Sequence, residues 1–267
     1  MYAIKDFRQE TAEPVTLTTK ALLWAQFVHE VIFKEPGACI KHIWYRLRYT
    51  FNPSSYPLNP LHIENPAHSD QVAKVIICLH GSGGHKSCFI PLANTLKAEG
   101  FKNIYTVDLI QTDDDPIPTS SLEMKISKLE RAYLEKGYKG IELTLVGHSL
   151  GALASVKYAW RRWDPSTQPS ISFIASLGGR LSYLKSPLSW FCEDVRPEIE
   201  KTFEKIKASP DKARILAFWG ENDALVPRKS AHLFENRERE ITIEHDGHSG
   251  IVFSPTVHQK ILEWVKT

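Results

Sequence analysis

From Val72 onward, short apolar runs alternate with longer segments whose apolar residues recur every three or four positions. The short runs read as buried strands: 72–79, 103–108, 141–146, 171–177, 213–219 and 240–245. Val75-Ile76-Ile77-Cys78-Leu79 is the clearest, being continuous and rich in β-branched residues. The longer segments read as helices over 86–99, 119–136, 150–163, 228–235 and 255–266. Such alternation predicts an α/β fold, a mostly parallel sheet covered by helices on both faces.

The first seventy residues follow a different pattern. Residues 18–34 read as an amphipathic helix with Leu23, Trp24, Phe27, Val28 and Val31 on one face. Pro36-Gly37 is expected to stop it. His42–Phe51, rich in aromatic residues, reads as a strand, with Lys41, His42, Arg46 and Arg48 on a solvated face. Four prolines make 52–66 a loop. The expected organisation is an extension over 1–70 packed on a domain over 71–267, with a small cap or lid at about 181–209.

Composition narrows the function. The chain has 267 residues, enough for one large domain, and 42% hydrophobic residues to build its core. Thirty-three basic against 31 acidic residues leave a net charge of +2. That balance argues against a nucleic-acid footprint. Cys39, Cys78, Cys88 and Cys192 show neither a disulfide framework nor zinc-site spacing. The first residues lack the basic and apolar regions of a signal peptide, so a cytoplasmic location is expected. Ala21–Phe33 is too short and too polar to span a bilayer. Peripheral membrane contact through 18–34 stays open.

The candidate chemistry lies at the ends of the apolar runs. Gly147-His148-Ser149-Leu150-Gly151 stands between a strand and a helix, the setting of a nucleophile elbow. Side chains two positions before and after the serine would collide with neighbouring backbone, and glycine removes them. Ser149 as a mere helix N-cap is the plainer alternative. His80-Gly81-Ser82-Gly83-Gly84 follows the first strand and suits an oxyanion loop. An acidic loop holds Asp223, in competition with Asp108 and Asp246. A histidine loop holds His248, in competition with His245. His245 is expected within the last strand, with Gly247 freeing the backbone to present His248. Asp113-Asp114-Asp115 reads as a solvated loop.

The segments LHGSGGH, LVGHSLGA, WGENDALVP and HDGHSGIVFSP, in that order, resemble the α/β-hydrolase superfamily. Within it the chain resembles bacterial esterases and lipases. The resemblance implies a Ser149–His248–Asp223 triad and an oxyanion hole from the Ser82 and Leu150 N–H groups. It places His80, Gly81, Gly83 and His148 at the substrate, with Leu184, Leu188, Trp190 and Phe191 of the lid. It implies carboxylic-ester hydrolysis through an acyl-enzyme, with no cofactor or metal. A lipid-like or other small-molecule ester is the expected substrate, supported by the apolar lid residues, Leu181 included. Thioester or amide hydrolysis by the same triad, and a non-catalytic binding protein of this fold, remain as alternatives.

Overall fold

The computed structural model describes residues 35–51, 63–81, 84–110, 117–161, 169–179, 215–223, 225–226 and 240–267, together with Asp115. Within them six strands form one sheet: β1 Val72–Leu79, β2 Ile104–Val107, β3 Gly140–His148, β4 Ser170–Leu177, β5 Ile215–Gly220 and β6 Glu240–Ile243. Their order is β2-β1-β3-β4-β5-β6, and every neighbouring pair is parallel. The helices are α1 Pro36–Phe51, α2 Ile90–Ala98, α3 Thr119–Glu135, α4 Leu150–Arg161 and α5 Pro255–Val265. A 3₁₀ turn, Lys86–Phe89, leads into α2. The expected α/β architecture is therefore the observed one. The expected helix over 228–235 and the lid at 181–209 lie outside the described residues.

β1 shows why these runs become interior strands. Alternate side chains enter two separate cores, one on each face of the sheet. Ala73, Val75, Ile77 and Leu79 pack with Leu122, Ile126 and Tyr133 of α3 and with Leu153 and Val156 of α4. Ile76 and Cys78 pack with Leu92 and Leu96 of α2 and with Val257 and Ile261 of α5. Each such buried aliphatic side chain contributes on the order of 1.5–3 kcal/mol. The chain turns to opposite sides of β1, entering β2 one way and β3 the other. The crevice at the carboxyl ends of β1 and β3 is the topological switch point, where open parallel sheets hold ligands.

His42–Phe51 is not a strand. It is the body of helix α1. Aromatic and β-branched residues favour strands on average, but their spacing here fits a helix. Ala38, Tyr45 and Tyr49 pack toward the α2–α5 core. Tyr45 stacks on Phe253 with ring centroids 6.0 Å apart. Ile40, Ile43, Trp44 and Leu47 form an exposed stripe on the other side. The basic cluster is consequently divided. Lys41 lies over the Phe253 ring, Arg48 over Trp44, and the His42 ring meets Phe253 edge-on at 4.8 Å. Pro36 opens α1, where its missing N–H costs nothing. The expected helix over 18–34, with the membrane contact left open for it, lies outside the described residues. Among the described residues no helix is long and apolar enough to cross a membrane.

Candidate active site

The serine at the end of β3 sits in a backbone conformation that non-glycine residues seldom adopt. Ser149 has φ +53° and is followed at once by α4. Its N–H donates to the Leu177 carbonyl at 3.0 Å, tying the turn to the end of β4. Such strain persists only where the surroundings over-determine it. Here they do. A Cβ on Gly147 would overlap the Gly151 carbonyl and the backbone of Ala152. One on Gly151 would overlap the Leu79 carbonyl and stand 2.7 Å from that of His80. Both glycines are required for space, as the sequence suggested. Leu150, the first residue of α4, is in the turn whose N–H groups have no acceptor within the helix.

The loop after β1 passes directly over this serine. A Cβ on Gly81 would lie 2.8 Å from the Ser149 Cβ. His80 braces the loop from beneath. Its Nε2 accepts the Leu109 N–H at 3.3 Å, which leaves the proton on Nδ1 to donate to the Gly81 carbonyl at 2.8 Å. The ring is thus occupied with backbone. Ser82 and Gly83 lie outside the described residues.

Asp223 and His248 meet beside the elbow. Asp223 Oδ2 accepts from His248 Nδ1 at 2.9 Å, and the carboxylate is fully sheltered from solvent. Its Oδ1 accepts the N–H groups of Leu225 at 3.0 Å and Val226 at 2.8 Å. An acceptor on Nδ1 fixes the neutral tautomer and leaves the Nε2 lone pair available. Gly178 turns with φ +55° at the end of β4, so close that a Cβ would stand 3.2 Å from Asp223 Oδ2 and 3.3 Å from His248 Nδ1. Burial pushes the His248 pKa down, but the Asp223 charge and hydrogen bond, with the Glu35 charge, outweigh it. The net shift is upward from 6.5.

A family model described as the alpha/beta hydrolase family matches residues 76–204. Esterase structures from Rhizomucor miehei share 16% identity over 96% of this chain and 97% of theirs, with a TM-score of 0.55. Carboxyl esterase 2 of the fungus Tuber melanosporum shares 16% identity over 76% of this chain and 80% of its own, with a TM-score of 0.56. This chain has the α/β-hydrolase fold. At these identities the likeness is one of fold. A truncated carbohydrate esterase from gut microbiota is similar in the same sense, at 13% identity, 76% and 88% coverage and a TM-score of 0.55. No curated protein matches the sequence.

Placed in the α/β-hydrolase frame, the rival residues separate. Asp108 follows β2, is half-exposed and pairs with Lys86 at 2.9 Å. Asp246 uses its carbonyl to accept the Asn222 N–H at 2.9 Å, bracing the acid loop from outside. His245 is not in β6, which ends at Ile243; it occupies an exposed turn with φ +64°. Gly247 does not adopt the left-handed conformation reserved for glycine. A Cβ there would instead strike the Glu35 carboxylate.

The buried His148 Nε2 donates to the His248 carbonyl at 2.8 Å, and its Nδ1 lies beside the Gly81 loop, 3.2 Å from where a Cβ on Gly81 would stand. Burial, and then the nearby charge of His248, hold its pKa well below 6.5, so the ring is neutral. Leu181, Leu184, Leu188, Trp190 and Phe191 lie outside the described residues. Among the described residues no group of three or more His, Cys, Asp or Glu is placed to hold a metal ion. Two residues that sequence reasoning missed, Glu35 and His42, reach the histidine loop from α1. Glu35 contacts Ser249 from 214 positions away, too far for any local signal.

Proposed function

We propose that this chain is a serine hydrolase that cleaves carboxylic esters through an acyl-enzyme. One observation carries the reading: the strained elbow serine is tied by its N–H to Leu177 at the end of β4, and the next residue, Gly178, lies against the buried Asp223–His248 pair. In this reading His248 Nε2 takes the Ser149 proton as Oγ attacks the ester carbonyl. Asp223 orients the ring and stabilises the imidazolium without taking up the proton. The N–H of Leu150, at the positive end of α4, and the N–H of Ser82 hold the oxyanion, each worth about 3 kcal/mol in the transition state. The intermediate collapses, and His248 gives its proton to the departing alcohol. Water then attacks the acyl-serine by the same route, giving the carboxylic acid and restoring the serine.

The decisive experiment compares the full chain with Ser149→Ala. The parent should turn over p-nitrophenyl esters and be labelled by a fluorophosphonate probe, and the variant should do neither. Undiminished turnover in the variant overturns the reading. A lipid-like acyl group is the finer proposal, supported by the apolar run Leu181, Leu184, Leu188, Trp190 and Phe191. Each buried methylene would contribute about 0.8 kcal/mol. Turnover should therefore rise with chain length in a p-nitrophenyl series, and a maximum at acetate contradicts it.

A further inference from the structure

A second carboxylate is aimed at the histidine loop. Glu35, immediately before α1, accepts on Oε2 the N–H groups of Ser249 at 2.8 Å and Gly250 at 2.6 Å. These groups open the 3₁₀ turn Gly250–Phe253, whose own cap residue Ser249 supplies no side-chain hydrogen bond. Uncapped N–H groups at a turn entrance need an outside acceptor, and a carboxylate suits them best. Seven positions on, the His42 ring meets Phe253 edge-on at 4.8 Å, and Tyr45 stacks on the same ring. Helix α1 therefore grips the loop over 249–253, directly after the candidate base. From the body side His148 holds the His248 carbonyl.

Two details show that loop and carboxylate are fitted to each other. Gly247 is kept small by Glu35 rather than by its own backbone conformation. Glu35 is also placed where its charge acts on the imidazole, with Asp223 the stronger contributor. The titratable groups facing His248 are thus Asp223, Glu35, His148 and His42. The last two are held neutral by burial, His42 with its pKa pushed down to about 4. Burial raises the Glu35 pKa, against the lowering effect of the Gly250 and Ser249 bonds and the His248 charge.

We propose that Glu35 is a positioning residue for His248: it locks the Ser249–Gly250 backbone so that the imidazole stays on Asp223 and within reach of Ser149. Helix α1, outside the matched span 76–204, becomes a working part of the site. The proposal rests on the triad reading above. If Ser149→Ala keeps its turnover, the triad fails; if that variant is dead, the Glu35 variants decide this proposal by themselves.

The test uses the full chain with Glu35→Gln and Glu35→Ala. Glu35→Ala should lower kcat by up to about 100-fold, the cost of a misplaced catalytic group, with KM within about threefold of the parent. Glu35→Gln keeps one acceptor oxygen and should recover part of kcat. In both, the acid limb of the kcat/KM profile should move to lower pH, because a negative charge favouring the imidazolium is gone. A purely structural role would lower kcat and Tm together and leave the pH profile in place. That result, or parent-like kcat in Glu35→Ala, overturns the proposal. Gly247→Ala supplies a second measurement. It should lower kcat in the parent by displacing the Glu35 carboxylate, and lower it less in the Glu35→Ala background, where that carboxylate is already absent. Equal damage in both backgrounds also overturns it.

Discussion

The elbow and the histidine loop present their side chains by opposite means. At the elbow the constraint is volume. Gly147 and Gly151 flank Ser149 within five residues, and what they avoid is backbone of α4 and β1. At the histidine loop the constraint is hydrogen bonding. Its partners come from 25 positions away in Asp223, 100 in His148 and 214 in Glu35. A part held by shape fails abruptly when an atom is added. A part held by several bonds loses performance in steps as they are removed.

Gly151→Ala should have the largest effect. In an ordinary helix this change stabilises by about 1 kcal/mol. Here the new Cβ meets the Leu79 carbonyl, on a central strand that cannot yield. A loss of about 4 kcal/mol or more is expected. In a chain of this size it would lower Tm by roughly 8–16 °C in a calorimetric scan. An unchanged or raised Tm would break the contrast.

Asp223→Asn should come next, reducing kcat by up to about 10⁴-fold while the fold survives. Asp108→Asn, which disturbs the Lys86 pair and a longer 3.8 Å contact with His80, should change kcat by less than about threefold. The pH profile adds a check of sign. His248 must be neutral to act as base, and its pKa lies above 6.5. Activity of the parent should fall as pH drops through a value above 6.5, and in Asp223→Asn that limb should lie at lower pH.

His148→Ala should have a smaller effect than Asp223→Asn. It removes a single bond to the His248 carbonyl and should cost on the order of tenfold in kcat, about the worth of one buried hydrogen bond. His245→Ala, on the exposed turn of the same loop, should change kcat by less than about twofold. Steady-state kinetics of this pair separates a bonded histidine from a bystander.

The same contrast governs what could be read along the chain. Val75–Leu79 and Ile141–Val146 announce themselves because a strand buried on both faces is a continuous apolar run, and the elbow because its steric needs are written within five residues. Gly247 is hard to read for the opposite reason. A glycine before a functional residue suggests backbone freedom, whereas here it makes room for Glu35, from a distant part of the chain. Helix α1 reads as a strand along the chain because Trp44, Tyr45 and Tyr49 favour strands, while Phe253, the ring it packs against, joins it only in the folded molecule. Asp223 was separable from Asp108 by its place after β5. The bonds that commit it to His248 became visible only in three dimensions.

The 214-position span between Glu35 and Ser249 also sets a timetable. A chain made at about 5–20 residues per second takes roughly 10–40 s to travel from one residue to the other. Throughout that interval the nascent helix α1 has been synthesised but has no histidine loop to grip. Local strand–helix units are free to form in the meantime, since they close short loops first. The Glu35 contact is among the last the ribosome makes available, so arrest of synthesis before residue 249 leaves a chain that carries the elbow serine but lacks the segment on which Glu35 would hold the histidine loop.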